Sequence, residues 1–169
     1  MFWIVLAIAT LLLSLERVTY WWVWHNPAEF ARRTRQTCSL ASTDPVWALG
    51  QLFVLFKVIQ LSVIVGWCMY FGQTWLPLPT APALVIIAGL LLLAFGQALN
   101  LGVMWRLGTE GMFYGNRFGR EIKWHTGLPF SLISHPQYVG ALLSVWAVLL
   151  IMRYPHPDWI ALPLVSTAL

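Results

Sequence analysis

Apolar residues fall in long runs along this chain, and the polar residues collect between them. The first run, residues 2–15 (FWIVLAIATLLLSL), is followed by Glu16 and Arg17 and then by Tyr20, Trp21, Trp22 and Trp24. It is short against the roughly 20 residues a membrane helix needs. No basic segment precedes it and no A-x-A-like site ends it, so a cleaved leader fits poorly. A full or partial first membrane helix ending in an aromatic belt fits better. His25-Asn26-Pro27 closes it, because the residue before proline avoids the α region. Residues 28–44 are polar and basic, with Arg32, Arg33 and Arg35 ahead of a Ser/Thr-rich stretch to Asp44-Pro45. They read as an interfacial loop with an amphipathic helical start.

The second span covers residues 46–72 and holds Gln51, Lys57 and Gln60. Lys57 lies well inside it, about 15 Å or more from either end. Either it faces a bundle interior or wet cavity, or it is a snorkelling or structurally paired lysine. Residues 73–82 (QTWLPLPTAP) form a charge-free, proline-rich turn. The third span, 83–105, is almost purely aliphatic until Ala94-Phe95-Gly96, after which Gln97 and Asn100 appear. Its small residues permit close approach by a neighbouring helix or by a ligand. A fourth helix occupies 138–152, closed by Arg153 and Tyr154-Pro155-His156-Pro157-Asp158. Residues 159–169 form a fifth apolar segment that reaches about 16 Å, against a hydrocarbon core of about 30 Å. The expectation is that the working chain continues past Leu169 to complete a fifth helix carrying at least one Glu. A re-entrant end is the other reading.

Composition strengthens this pattern. Charged residues make up 9% and hydrophobic residues 59%, where a soluble domain carries roughly 25% charged residues. Such a chain is all-α: a polytopic transmembrane bundle of four to five helices, forming a single integral-membrane domain over residues 1–169. The isoelectric point near 9.4 does not point to nucleic acid, because the basic residues flank the spans. Arg17, Arg32, Arg33, Arg35, Arg106, Arg117, Arg120 and Lys123 lie in residues 16–45 and 106–134, while 73–82 holds none. The positive-inside rule places both basic loops in the cytoplasm. Cys38 and Cys68 have no metal-type spacing and read as free thiols. The four histidines are too scattered for a metal site.

The chemistry concentrates between Arg106 and Gly140, in RLGTEGMFYGNRFGREIKWHTGLPFSLISHPQYVG. The glycine-rich part follows a membrane helix rather than a strand, so a dinucleotide fingerprint fails on context. Ser134-His135-Pro136-Gln137-Tyr138-Val139-Gly140 starts a helix. Pro136 suits its first turn, and Ser134 or His135 stands near its N-cap. The free N–H groups of such an end suit a carboxylate or phosphate. An ordinary interfacial helix start is the alternative.

Residues 108–140 resemble the phospholipid N-methyltransferase family, especially its short plant-type phosphatidyl-N-methylethanolamine methyltransferases. They are similar, more distantly, to isoprenylcysteine carboxyl methyltransferases, which share a His-Pro-x-Tyr-x-Gly element. The likeness rests on Gly108, Gly111, Tyr114 and Gly115, the Phe118-Gly119 pair, Pro129-Phe130 and the His135–Gly140 element. It implies a small bundle of membrane helices that binds S-adenosylmethionine at its cytoplasmic face. One cofactor element falls at Ala94-Phe95-Gly96, where the family often has Gly-x-Gly. A late acidic element of the family is not reached before Leu169.

The resemblance implies cofactor binding by Ala94, Gly96, Gly108, Gly111, Tyr114, Gly115, His135, Pro136, Tyr138 and Gly140. The substrate is a membrane phospholipid, whose phosphate Arg106, Arg117, Arg120 and Lys123 are available to hold. Tyr114, Tyr138, Trp124 and Trp105 suit a methylated ammonium by cation–π contact. A protonated amine must lose its proton before attack, and His135 or Glu110 is the expected acceptor. The expected reaction is N-methylation of phosphatidylethanolamine or its mono- or dimethyl derivatives. Carboxyl methylation of a prenylated cysteine and a non-catalytic membrane subunit are the alternatives.

Overall fold

The computed structural model describes residues 1–37, 43–123 and 125–169. Cys38 and Trp124, singled out above, lie outside them. The described residues are helical with no strand, in the order α1 (Phe2–His25), α2 (Pro27–Thr37), α3 (Pro45–Gly72), α4 (Ala83–Met112), a 3-10 turn (Gly115–Phe118), α5 (Pro136–Arg153) and α6 (Ala161–Ala168). Of these, α1, α3, α4 and α5 are long and apolar enough to cross a membrane. The outer surface is correspondingly apolar, with Trp75, Trp105 and Leu84 among its most exposed residues. Lipid, not water, suits such a surface.

The first helix ends where His25-Asn26-Pro27 is expected to close it: α1 runs to His25 with Asn26 as its C-cap, so residues 16–25, counted above with the basic segment 16–45, belong to the helix. No Gly or Pro interrupts residues 2–25, and Glu and Arg are good helix formers. Glu16 and Arg17 are therefore carried into the bundle. At 1.5 Å per residue, Glu16 sits about 14 Å from the C-terminal end of α1.

Local signals set the other boundaries. Asp44 caps α3, its carboxylate accepting a hydrogen bond from Val46 N at 3.1 Å, with Pro45 in the first turn. Pro136 opens α5, and His135 is its N-cap residue without a side-chain cap bond. The third span runs on to Met112, beyond the expected residue 105, and bends at Gly108, whose φ of 61° and ψ of −174° are non-helical. A side chain there would be strained. Residues 159–169 form only the short α6, packed against α1 and α5.

Helices α4 and α5 form the most intimate pair. A Cβ on Gly140 would lie 2.5 Å from Gly96 O, and one on Gly96 would lie 2.8 Å from Gly140 O. The two backbones touch because neither residue has a side chain, as in other membrane-helix pairs. Ring contacts of Phe2 with Trp67 and of Tyr20 with Phe56 run α1 antiparallel to α3. One core, around Val63, Trp67, Val145, Leu149 and Leu162, fills the end of the bundle near the start of α1. A second, around Val23, Phe30, Val46, Leu49 and Phe113, fills the opposite end. Both basic segments lie at that second end, where Phe30 of α2 meets Phe118 at 5.9 Å.

Candidate functional site

Between the two apolar cores the helices carry a polar layer. On α1, Glu16 falls between Ala9 of the first core and Val23 of the second; on α3, Lys57 falls between Leu49 and Val63. Lys57 Nζ donates to Glu16 Oε2 at 3.2 Å and to Gln60 Oε1 at 3.2 Å. It also lies 5.1 Å from the centre of the Phe53 ring. Both readings of Lys57 are therefore correct together: it is paired, and it faces a cavity.

Two cavities, of about 380 Å³ and 360 Å³, adjoin this layer. Glu16, Tyr20, Lys57, Gln60, Tyr114 and Tyr138 line both. These volumes are in the range of small-molecule sites. The larger cavity also meets Arg17, Trp21 and Trp24 of α1 and the end of α6 at Ser166 and Leu169. The smaller one lies toward the α4–α5 contact and is lined by Gln97, Asn100, Gln137 and Ser144.

The aromatic wall is continuous. Tyr114 stands edge-on to Tyr20 at 5.8 Å and to Trp24 at 5.1 Å. Arg17 approaches the Tyr138 ring at 5.8 Å. A cation is attracted to the face of such a ring and not to its edge. In the smaller cavity, Gln97 Nε2 donates to Ser144 Oγ at 2.7 Å, and Ser144 Oγ donates to Gly140 O at 2.7 Å. Among the described residues Asn100 Oδ1 is buried without a hydrogen-bond partner. An unmet acceptor of this kind is costly unless a ligand or water donates to it.

The residues expected from sequence divide into those that reach this site and those that do not. Tyr114 and Tyr138 line both cavities. Gly96 and Gly140 instead make the α4–α5 backbone contact, while Ala94 is exposed. Pro136 is buried at the start of α5, Gly108 bends α4, Gly111 lies in its last turn, and Gly115 opens the 3-10 turn that follows. His135 is exposed, its ring 6.1 Å from that of Tyr138, and it lines neither cavity.

The charged residues expected to act on substrate are largely held by the fold. Glu110 pairs with Arg120 at 2.6 Å, and Arg120 also reaches Asp44 at 3.0 Å. Arg117 donates to Trp24 O at 2.6 Å and lies over the Trp24 ring at 4.5 Å. It closes the end of α1, where backbone carbonyls lack helical partners. Arg106 and Lys123 are exposed and make no ion pair among the described residues. Trp105 is also exposed, with the Arg106 guanidinium 6.0 Å from its ring.

Glu16, Tyr20, Gln60, Gln97 and Asn100 were not selected from the sequence as site residues. The signal was there for Glu16: an acid inside an apolar helix, matched by a lysine inside another. Intramembrane ionisable groups of this kind mark functional sites by default.

Comparison with known proteins converges on one family. The sequence model for phospholipid methyltransferase matches residues 84–169. A phosphatidyl-N-methylethanolamine N-methyltransferase of Arabidopsis thaliana is 36% identical over 136 residues, covering 77% of this chain and 70% of that protein. A phosphatidylethanolamine N-methyltransferase of Rattus norvegicus is 28% identical over 137 residues, covering 75% of this chain and 64% of the relative. Phosphatidylethanolamine N-methyltransferase B of Dictyostelium discoideum is 27% identical over 144 residues, covering 85% and 69%. No solved structure matches.

Proposed function

The chain belongs to the phospholipid methyltransferase family, and from that membership we propose that it methylates the amine of phosphatidylethanolamine or of its mono- and dimethyl derivatives, with S-adenosylmethionine as methyl donor. The observation that carries this reading is the pair of cavities with a common polar and aromatic wall. A transfer between two ligands needs both held at one junction, so that a bimolecular step becomes an oriented local one. The relatives act, by their names, on amine nitrogen. Carboxyl methylation and a non-catalytic role are therefore not favoured.

The lining of the smaller cavity fits the donor. Asn100 Oδ1 has no donor among the described residues, and Gln97, Gln137 and Ser144 line the same cavity with further polar groups. S-adenosylmethionine has the amino and hydroxyl hydrogens to satisfy them, and when bound it supplies a methyl activated by sulfonium sulfur. Gly96 and Gly140 hold α4 against α5, which fixes Asn100 and Tyr138 relative to each other. Tyr20, Tyr114 and Tyr138 give an ammonium group aromatic faces in a poorly hydrated space, where cation–π attraction is strongest. The phosphate falls to Arg106 and Lys123, with Arg117 and Arg120 contributing charge from their structural positions. The basic end of the bundle, carrying α2 and the 3-10 turn, is assigned to the cytoplasm.

The test is incubation of membranes containing the protein with methyl-labelled S-adenosylmethionine, followed by separation of the lipids. Label in mono-, di- or trimethylated phosphatidylethanolamine supports the reading. Label only in prenylated protein carboxyl groups, or no label in lipid, refutes it.

A further inference from the structure

We propose that Glu16 is the group that receives the substrate ammonium and takes its proton before methyl transfer, with Lys57 as its positioning partner. This rests on the phospholipid-methyltransferase reading given above. Glu16 lines both cavities and so stands at their junction. His135 and Glu110 line neither. Lys57 engages only Oε2 of the carboxylate, and among the described residues no hydrogen bond reaches Oε1. That oxygen can accept from an ammonium entering the aromatic wall of Tyr20, Tyr114 and Tyr138. A carboxylate beside aromatic faces is the chemistry that recognises an alkylammonium.

An acid at this depth is expensive to keep charged unless it is paired, and Lys57 supplies a partner at 3.2 Å. An N–H bond of the substrate ammonium breaks and its proton passes to Glu16 Oε1, leaving a neutral amine. The nitrogen lone pair then forms the N–C bond to the methyl carbon. The C–S bond breaks with its electron pair remaining on sulfur, which ends as a neutral thioether. The nitrogen becomes a methylated ammonium, and Glu16 returns its proton to water before the next turnover. The other charged or titratable groups lining the two cavities are Arg17, Tyr20, Lys57, Tyr114 and Tyr138.

The experiment uses the full chain in nanodiscs containing phosphatidyl-N-methylethanolamine. Glu16→Gln is compared with wild type for methylation rate from pH 6.5 to 10 and for S-adenosylhomocysteine affinity by calorimetry. The double variant Glu16→Gln/Lys57→Gln removes the unpaired lysine charge and covers misfolding of the single variant. The expected result is a rate loss of about 100-fold or more at pH 7 in both variants, the lower end of what a general base contributes. S-adenosylhomocysteine affinity stays within about twofold, since general-base loss does not remove ligand contacts. The lost rate returns roughly tenfold per pH unit toward the pKa of an alkylamine, about 10, because solvent then supplies the deprotonated amine.

A wild-type rate in either variant at pH 7 overturns the assignment while leaving lipid methylation intact. So does a loss in both that ignores pH and is accompanied by lost ligand affinity, which is the mark of a structural pair. A wild-type protein that methylates no phospholipid overturns the functional reading and the proposal together.

Discussion

Replacing Asp158 by Ala tests what holds the end of the bundle opposite the basic segments. Asp158 and Arg153 form a clasp whose side chains are 9% and 6% exposed. Arg153 Nη2 donates to Asp158 Oδ1 at 2.6 Å, and Arg153 Nε and Trp67 Nε1 donate to Oδ2 at 2.8 Å and 3.1 Å. Arg153 Nη2 also donates to Phe71 O at 3.1 Å, so one guanidinium joins α5, the following turn and the end of α3. In the alanine variant the guanidinium keeps only the Phe71 carbonyl, and the Trp67 indole N–H is left buried without an acceptor. Breaking one partner of a buried pair costs about 3–5 kcal/mol. For a chain of this size that lowers the melting temperature on the order of 10 °C. The measurement is a thermal melt in detergent micelles followed by tryptophan fluorescence. The apolar double replacement Arg153→Met/Asp158→Leu leaves no orphaned charge but still leaves the Trp67 N–H without an acceptor, so it is expected to lose about 1–3 kcal/mol, less than the single variant.

The pH dependence has a definite sign. Burial pushes the Asp158 carboxyl up, but the Arg153 guanidinium and the Trp67 indole together outweigh it and hold it below the usual carboxylate range. A depressed carboxyl contributes stability that is fully present above its unfolded value and is lost as pH falls through its folded value. The gap between wild type and the double variant therefore stays constant from pH 8 to pH 5 and changes only below about pH 4. A shift under about 2 °C for Asp158→Ala, or a double variant as unstable as the single one, refutes the clasp; the first is under the roughly 1 kcal/mol expected of one ordinary hydrogen bond.

Four further outcomes follow from other parts of the molecule. Tyr138→Ala is expected to weaken S-adenosylhomocysteine binding in calorimetry without lowering the melting temperature, since the ring is 51% exposed and lines both cavities. Gly140→Ala is expected to lower the melting temperature by an amount equivalent to about 1–3 kcal/mol, the cost of overpacking a close contact, because its Cβ would lie 2.5 Å from Gly96 O and 2.6 Å from Asn100 Oδ1. Glu29 is expected to titrate near 2 by carboxyl NMR, because hydrogen bonds from Arg32 and Arg33 hold it down. Arg32→Ala/Arg33→Ala returns it toward the ordinary value near 4.3. Single cysteines placed at Arg35 and Lys123 in a chain whose native cysteines are changed to serine are expected to label from the same side of sealed vesicles. Labelling from opposite sides contradicts the shared end that α2 and the 3-10 turn occupy.

The sequence by itself determined the helices, the membrane class and much of the site's aromatic wall. Unbroken apolar runs leave a chain no other way to satisfy its backbone in lipid. Pro27, Pro45 and Pro136 mark helix starts because proline lacks the N–H that a helix interior requires and a first turn does not. Tyr114 and Tyr138 were found through a motif whose spacing survives folding, since each sits within a few residues of a turn or helix start. The sequence also determined that Gly96 and Gly140 meet something closely. Whether a ligand or another helix comes that close depends on how α4 and α5 cross, and there the tertiary structure decided for the helix. Only the tertiary structure joined Glu16 to Lys57, 41 residues apart. It likewise placed Arg117 on the end of α1 and Arg120 between Glu110 and Asp44. A charge read along the chain shows its sign and its element. Its partner is set by which helix faces meet, and that is a property of packing between segments distant in sequence.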